Sequence, residues 1–574
     1  MFKNQPAGLY VLSLANTGER FGYYTMLAIF LLFLQAKFGF DSTVSGQIYA
    51  IFLALVYFMP LIGGWVADKW SFNKCVVTGV IVMFAGYAVM SIPTDIRSTT
   101  SLVVLCCALA LIAIGTGLFK GNLQVMVGDL YNNARFSGQR DAAFSLFYMF
   151  INIGSMFAPM AATAMTNIAL HAEGLNYVAK LPALCNGFLD GVAANGAEIT
   201  ALAAENGMTV GSDLTAWCNH YIATLSTGYS YAFAVACFSL IISFLIYFAG
   251  RRTYSHIITD KKAAPAANSK KAAVKSAEPE LTPAQTKARV VALLLVFAVV
   301  IFFWMVFHQN GATLTEFAKS CTSPEATGWT RIGFNVWALF SIAVGMYAIF
   351  NFFTSKAKGK IVCLVILAAV AALLVYFYGS TPSVVDGIQP QQYQQFNPFY
   401  VVALTPVSLA IFGWLAKRKK EPSAPRKIGY GMVLAAVAYG VMLIGSLSIV
   451  GTNAAVSPDW LISTYLLLTF AELLLSPMGI SFVSKVAPPK LKGSMMGGWF
   501  AATALGNYLV SIPMLLWGKI PVWTLWGILI VICLCAAGFI FSIMKKLEAA
   551  TADAPVETPA QKSEDLENVE ADAI

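Results

Sequence analysis

The stretch Asn16-Thr17-Gly18-Glu19-Arg20-Phe21-Gly22-Tyr23-Tyr24-Thr25-Met26-Leu27 lies inside an apolar run from about Gly8 to Leu34. At helical periodicity, positions 16, 19, 20, 23, 24 and 27 share one face. A charge at the centre of a membrane-spanning helix costs roughly 2.5–3.5 kcal/mol on the insertion scale. Ionisable side chains retained at that cost face a bundle interior or a water-filled path rather than lipid. The face therefore points to a solute path through a membrane.

The rest of the chain agrees. Of 574 residues, 58% are hydrophobic and 11% charged, far below the roughly 25% charged residues of soluble domains. Apolar runs recur at about 8–36, 44–67, 74–92, 100–130, 141–163 and 227–249, then at 289–317, 331–353, 359–378, 397–416, 428–450, 458–486, 493–517 and 521–545. Each is long enough to cross a hydrocarbon core of roughly 30 Å. The expected class is an all-α polytopic membrane protein. The first run is long and carries the charged face, so it reads as a span rather than a cleavable signal.

The net charge of +9 sits in short loops and serves as an orientation signal, not a nucleic-acid patch. With the N-terminus inside, Lys69, Lys74, Arg251, Arg252, Lys356, Lys358, Lys360, the run 417–420, Lys485, Lys490 and Lys492 all fall on the cytoplasmic side. Both termini are then cytoplasmic, in a plasma (inner) membrane. The ten cysteines show no zinc spacing. No metal site and no cofactor is expected, and no nucleophile–base pair suggests an enzyme.

Residues 8–249 read as one six-helix bundle with an external insertion at about 164–226. Within it, Gly196–Asn206 reads as a short helix, and Cys185 and Cys218 form a possible disulfide, with Cys321 as a rival partner. Residues 250–288, rich in Lys, Ala, Pro and Ser, read as a cytoplasmic linker. A second bundle spans 289–545 and includes an extra helix pair at about 331–378 with no embedded acid. The acidic tail 547–574 reads as disordered.

The embedded ionisable residues are Glu19, Arg20, Lys120 and Glu472, joined by His308 in Phe303-Trp304-Met305-Val306-Phe307-His308-Gln309. Two cations and one acid lie in the first bundle, one acid and the histidine in the second. A site between them would have a cationic wall and an acidic wall, which suits a zwitterion. Glu19 and Arg20 are neighbours and are not expected to point at each other. Lys120 is then the expected partner of Glu19, which leaves Arg20 to a ligand.

Glu-Arg-Phe-Gly-Tyr-Tyr at 19–24 resembles the first-helix signature of the proton-coupled oligopeptide transporters, within the major facilitator superfamily. Phe147-Tyr148-Met149-Phe150-Ile151-Asn152-Ile153-Gly154-Ser155 resembles their fifth-helix signature. Gly63-Gly64-Trp65-Val66-Ala67-Asp68-Lys69 resembles the superfamily loop after the second helix. Phe303-Trp304 with Gln309, Asn397-Pro398, Glu472 with Ser476-Pro477, and Gly498-Trp499 are similar to family positions in later helices. The resemblance runs from about residue 8 to 545. It implies a major facilitator fold, two six-helix bundles plus about two extra helices.

The resemblance also implies roles. Arg20 and Lys120 would hold a peptide carboxylate. Glu472, with Asn152 and Asn397 and next to Ser476, would hold the amino terminus. Tyr23, Tyr24, Tyr57, Trp304 and Trp499 would line side-chain pockets. Asn397-Pro398 reads equally as a helix start. The chain departs from the family pattern at Asn16, Leu27 and His308, where acid, arginine and acid are usual. The last two usually bridge the bundles, and here both partners are gone, so no charge is stranded. Proton coupling would then fall to Glu19, His308 and Glu472, with histidine titrating nearest neutrality.

The function implied is proton-coupled import of di- and tripeptides by alternating access, with peptides, protons and the lipid bilayer as partners and no nucleic acid. The alternatives are a major facilitator transporter of another amino-acid-like or anionic solute, or a non-transporting sensor.

Overall fold

A computed structural model describes residues 5–131, 136, 140–258, 282–449, 455–488 and 491–552. The first bundle consists of α1 (Ala7–Phe38), α2 (Ser42–Lys69), α3 (Phe72–Ser91), α4 (Thr99–Asp129) and α5 (Arg140–Ala172), then two short helices, α6 (Leu181–Leu189) and α7 (Asn195–Glu205), and α8 (Leu214–Ala249). The second part begins with α9 (Pro283–Phe307), a 3-10 turn at His308–Gly311, α10 (Thr313–Ser320) and α11 (Thr330–Gly333). Then come α12 (Val336–Thr354), α13 (Ala357–Ser380), α14 (Phe396–Lys417) and α15 (Ala424–Ser446). The chain closes with α16 (Asp459–Val486), α17 (Lys492–Leu509), α18 (Ser511–Leu516), α19 (Val522–Ser542) and α20 (Met544–Ala552).

Thirteen helical segments among the described residues are long and apolar enough to cross a membrane. With α16, 28 residues long, they account for the crossings expected from hydropathy. Local chemistry sets their ends. Gly39 at φ 68° stops α1, its N–H donating to the Gln35 carbonyl, a left-handed position that costs glycine nothing. Asp41 caps α2 by accepting from the Val44 amide at 2.8 Å. Thr282 and Gln285 form a reciprocal capping box at the start of α9.

α1 packs on α5 and α8, and α3 and α2 pack on α4. In the other bundle, α15 packs on α16 and α19, and α9 on α17. The bundles meet where α2 runs along α17 and α5 along α14. The extra pair is a hairpin, α12 against α13, and α12 leans on α14. Of α13 only Cys363 is buried, so this helix presents nearly its whole apolar surface outward, as a lipid-facing span does.

Several expected boundaries shift. The insertion is shorter than 164–226, because α5 continues to Ala172 and α8 begins at Leu214. The linker expected at 250–288 ends earlier, since the Thr282 cap starts α9 at Pro283. Its first part is ordered in 3-10 turns, with the Tyr254 hydroxyl donating to the Tyr247 carbonyl at 2.5 Å. Residues 259–281 lie outside the described residues. So does the acidic tail from 553 onward, and α20 already takes up 547–552.

Cys185 and Cys218 are free thiols here, not a disulfide. Both are fully buried, and the two thiols hydrogen-bond each other between α6 and α8. Burial holds the Cys185 thiol above its ordinary range.

The insertion side of the molecule is closed. From the 3-10 stretch Pro390–Gln395 that leads into α14, Gln389 Nε2 donates to Asn167 Oδ1 at 2.5 Å. Gln391 Nε2 donates to Thr163 Oγ1 at 3.1 Å, and Gln394 Nε2 to the Ala28 carbonyl at 3.2 Å. In the turn after α9, Gly311 lets the Tyr49 hydroxyl come so near that a Cβ there would lie 1.8 Å from it.

Candidate functional site

The polar groups that hydropathy marks as costly lie within the spanning helices α1, α4 and α16. On α1, Glu19 and Arg20 are nearly fully buried, at 1% and 3% exposure. They bond to each other, against the sequence expectation: Arg20 Nε and Nη2 donate to the two Glu19 carboxylate oxygens at 2.5 Å each. Neighbours on a helix project about 100° apart, but the long arginine arm folds back to the short acid. The fork-to-fork geometry fixes both groups. The Arg20 guanidinium also lies 4.8 Å from the Tyr23 ring centroid.

Lys120, expected to pair with Glu19, instead places its ammonium 4.1 Å over the Tyr57 ring. A cation over an aromatic face is held electrostatically yet keeps its donors free. No described residue hydrogen-bonds or ion-pairs with it. Lys120 thus keeps its donors free of described protein partners, while Arg20 offers only the donors left over from Glu19.

The acidic wall is built from both bundles. Glu472 on α16 accepts from Asn397 Nδ2 on α14 at 3.2 Å. It also accepts from the Tyr148 hydroxyl on α5, across the interface, at 2.9 Å. Asn397 donates further to Thr469 Oγ1 at 2.9 Å. Asn397 and Pro398 fall in the first turn of α14, where proline is tolerated. The helix-start reading therefore holds, but the Asn397 side chain goes to Glu472 rather than to a cap. Asn152, one turn beyond Tyr148, donates Nδ2 to the Tyr148 carbonyl at 3.0 Å and leaves its amide oxygen free for other partners.

Aromatic rings occupy the space between the walls. Tyr23 and Tyr24 meet edge to face at 5.3 Å. Tyr24 lies within electrostatic reach of Arg20, Glu19 and Glu472 alike, so it stands between the two walls. Trp304 stacks on His308 at 5.0 Å and 18°, and the Tyr57 ring lies 5.9 Å from that imidazole. The buried Tyr23 Oη and Trp304 Nε1 have no hydrogen-bond partner among the described residues. Buried polar atoms of that kind call for a polar occupant or water.

Trp499 sits elsewhere. It is 3% exposed, packs 6.3 Å from Phe297 and fills the notch at Gly479, where a Cβ would lie 1.9 Å from its ring. It packs α17 on α9 and α16. The side chain of Ser476 lies outside the described residues. Tyr148 is the site residue that sequence reasoning missed, although it stands in the signature at 147–155.

Two six-helix bundles around a charged, aromatic-lined centre, with acid and cation on opposite walls, define a transporter of the major facilitator kind. The model of the POT family matches residues 73–278 and 364–522. The chain belongs to that family. It is 27% identical over 561 residues to YclF of Bacillus subtilis (strain 168), described as an uncharacterized transporter, covering 96% of each chain. It is 24% identical over 527 residues to dipeptide and tripeptide permease A of Escherichia coli (strain K12), covering 88% of this chain and 83% of that one. A mutant of a peptide transporter POT crystallised with alafosfalin superposes with a TM-score of 0.65 at 22% identity over 96% of both chains. A POT family transporter in complex with 5-aminolevulinic acid gives 0.66 at 18%, covering 95% of this chain and 98% of that one.

Proposed function

We propose that this protein imports di- and tripeptides across the plasma membrane by alternating access, driven by the proton gradient. The observation that carries the reading is the split centre: Lys120 over Tyr57 on one side, and Glu472 held by Asn397 and by Tyr148 on the other. Such a centre takes a carboxylate at one end and an ammonium at the other. Relatives described as dipeptide and tripeptide permeases support the substrate class. The face carrying the insertion is external and both termini are cytoplasmic, as the basic loops at 69–74, 251–252, 356–360 and 417–420 require. On that external side, an oxidising compartment would favour a Cys185–Cys218 disulfide.

Because Glu472 is bonded to both bundles, its bonds differ between outward and inward states. A substrate that replaces the Tyr148 bond interacts with the two states differently, which is what shifts an alternating-access equilibrium. For the proton, Glu19 is poorly suited, since protonating it would strand a buried guanidinium. His308 is better placed, stacked on Trp304 and facing the Tyr57 ring, and Glu472 is the other carrier. The His308→Gln variant is expected to lose gradient-driven accumulation while keeping substrate exchange between equal concentrations. Accumulation with an unchanged pH profile in proteoliposomes would remove His308 from coupling.

A shorter zwitterion is the second reading, favoured by the solved relative that holds 5-aminolevulinic acid. Competition against labelled dipeptide uptake separates the two. Di- and tripeptides are expected to compete well below the concentration at which single amino acids do, and the reverse order would select the second reading.

A further inference from the structure

A second polar cluster joins the bundles, well away from the centre. Gln35 near the end of α1 donates Nε2 to Glu316 Oε2 on α10 at 2.8 Å. Lys319, one turn on, pairs with Glu316 Oε1 at 2.8 Å and donates to Gln35 Oε1 at 2.6 Å. Glu316 is 3% exposed. The Ser320 hydroxyl approaches Glu316 at 3.5 Å, and Tyr177 and Cys321 face it from the same side. Gln35 lies fifteen residues beyond Arg20 (35 − 20), or roughly 22 Å along the helix, too far to touch a substrate held at the centre.

Both sides of the cluster are anchored. Asn186 of the insertion helix α6 donates Nδ2 to the Ala36 carbonyl at 3.0 Å, pinning the end of α1. Thr315, next to Glu316, accepts from Gln394 Nε2 at 3.2 Å, while Gln394 also reaches Ala28 on α1. Leu27 carries no polar group, so it forms no hydrogen bond or ion pair with His308. The Gln35–Glu316 contact lies eight positions farther along both segments (35 − 27 and 316 − 308).

We propose that Gln35 and Glu316 are the latch that holds the insertion face closed, with Lys319 as the positioning residue that neutralises Glu316. This rests on the alternating-access reading above. The chemistry suits a contact that must open in every cycle. The ion pair lies within α10, so it survives separation of the bundles and no charge is stranded. At this latch two hydrogen bonds to a neutral amide break, each worth on the order of fivefold in an equilibrium. A salt bridge between bundles would leave two unpaired charges each time it opened.

Hydrogen exchange of the full-length protein in lipid nanodiscs, without substrate, tests the latch. Gln35→Ala removes both bonds and is expected to raise exchange in peptides covering 28–38 and 311–320 by on the order of 25-fold, with α3 and α15 unchanged. Uptake should show a lower maximal rate with KM within about twofold. Glu316→Ala should match it, and Glu316→Gln, which keeps an acceptor for Gln35, should lie nearer the parent protein. Unchanged exchange on the insertion face overturns the latch, whatever happens to transport. An even rise over all helices marks lost stability and overturns it too. Because no substrate is present, these outcomes are independent of whether the parent protein carries peptides.

Discussion

Replacing Glu472 with glutamine lowers kcat/KM for a dipeptide with a free amino end by on the order of 100-fold, from the loss of about 2–5 kcal/mol that truncating a buried charge partner costs. Shape is conserved, so the helices should still pack. The amide has one acceptor oxygen where Tyr148 and Asn397 now use two separate ones, and it offers no charge to an ammonium. The same variant should treat an amino-acetylated dipeptide little differently from the parent protein, because that substrate has no ammonium to lose. Tyr148→Phe removes one hydrogen bond, so a smaller fall, on the order of fivefold, is expected. Uptake into proteoliposomes measures all three. Equal loss for free and acetylated peptides would show that Glu472 serves packing or gating instead.

Arg20→Met should cost about 3–5 kcal/mol of stability, because it leaves the Glu19 carboxylate buried and alone. The double variant Glu19→Gln/Arg20→Met removes both charges and is expected to recover most of that stability in thermal unfolding. Transport should not recover with it. The remaining Arg20 donors and the guanidinium beside Tyr23 add to the positive wall whose free member is Lys120. Full recovery of uptake in the double variant would reduce the pair to a structural clamp and leave carboxylate binding to Lys120.

The spans and the embedded charges were legible in the sequence because lipid imposes one simple demand, long apolar helices with costly exceptions. Glu472 and Lys120 stood out for that reason. What the charges bond to was not legible. The Glu19–Arg20 fork depends on side-chain torsions that helical periodicity ignores. The Tyr148–Glu472 bond joins residues 324 positions apart. The latch was hidden differently: Thr313-Leu314-Thr315-Glu316-Phe317-Ala318-Lys319 reads as the polar end of a span. Its meaning comes only from the turn at 308–311 and the close pass of Tyr49. The packing of Trp499 against Phe297 and Gly479 was likewise not legible in the motif that contains it.

The central claim is that acid and cation on opposite walls hold the two ends of a peptide moved by the proton gradient. Proteoliposome uptake of one labelled dipeptide, with and without an inward-acid gradient, tests it most directly when unlabelled amino-blocked and carboxyl-blocked analogues serve as competitors. The account predicts accumulation above the external concentration only with the gradient, and at least tenfold weaker competition by either blocked analogue, the loss of about 1.4 kcal/mol or more at one wall. Gradient-independent equilibration, or blocked analogues that compete as well as the free dipeptide, would contradict it.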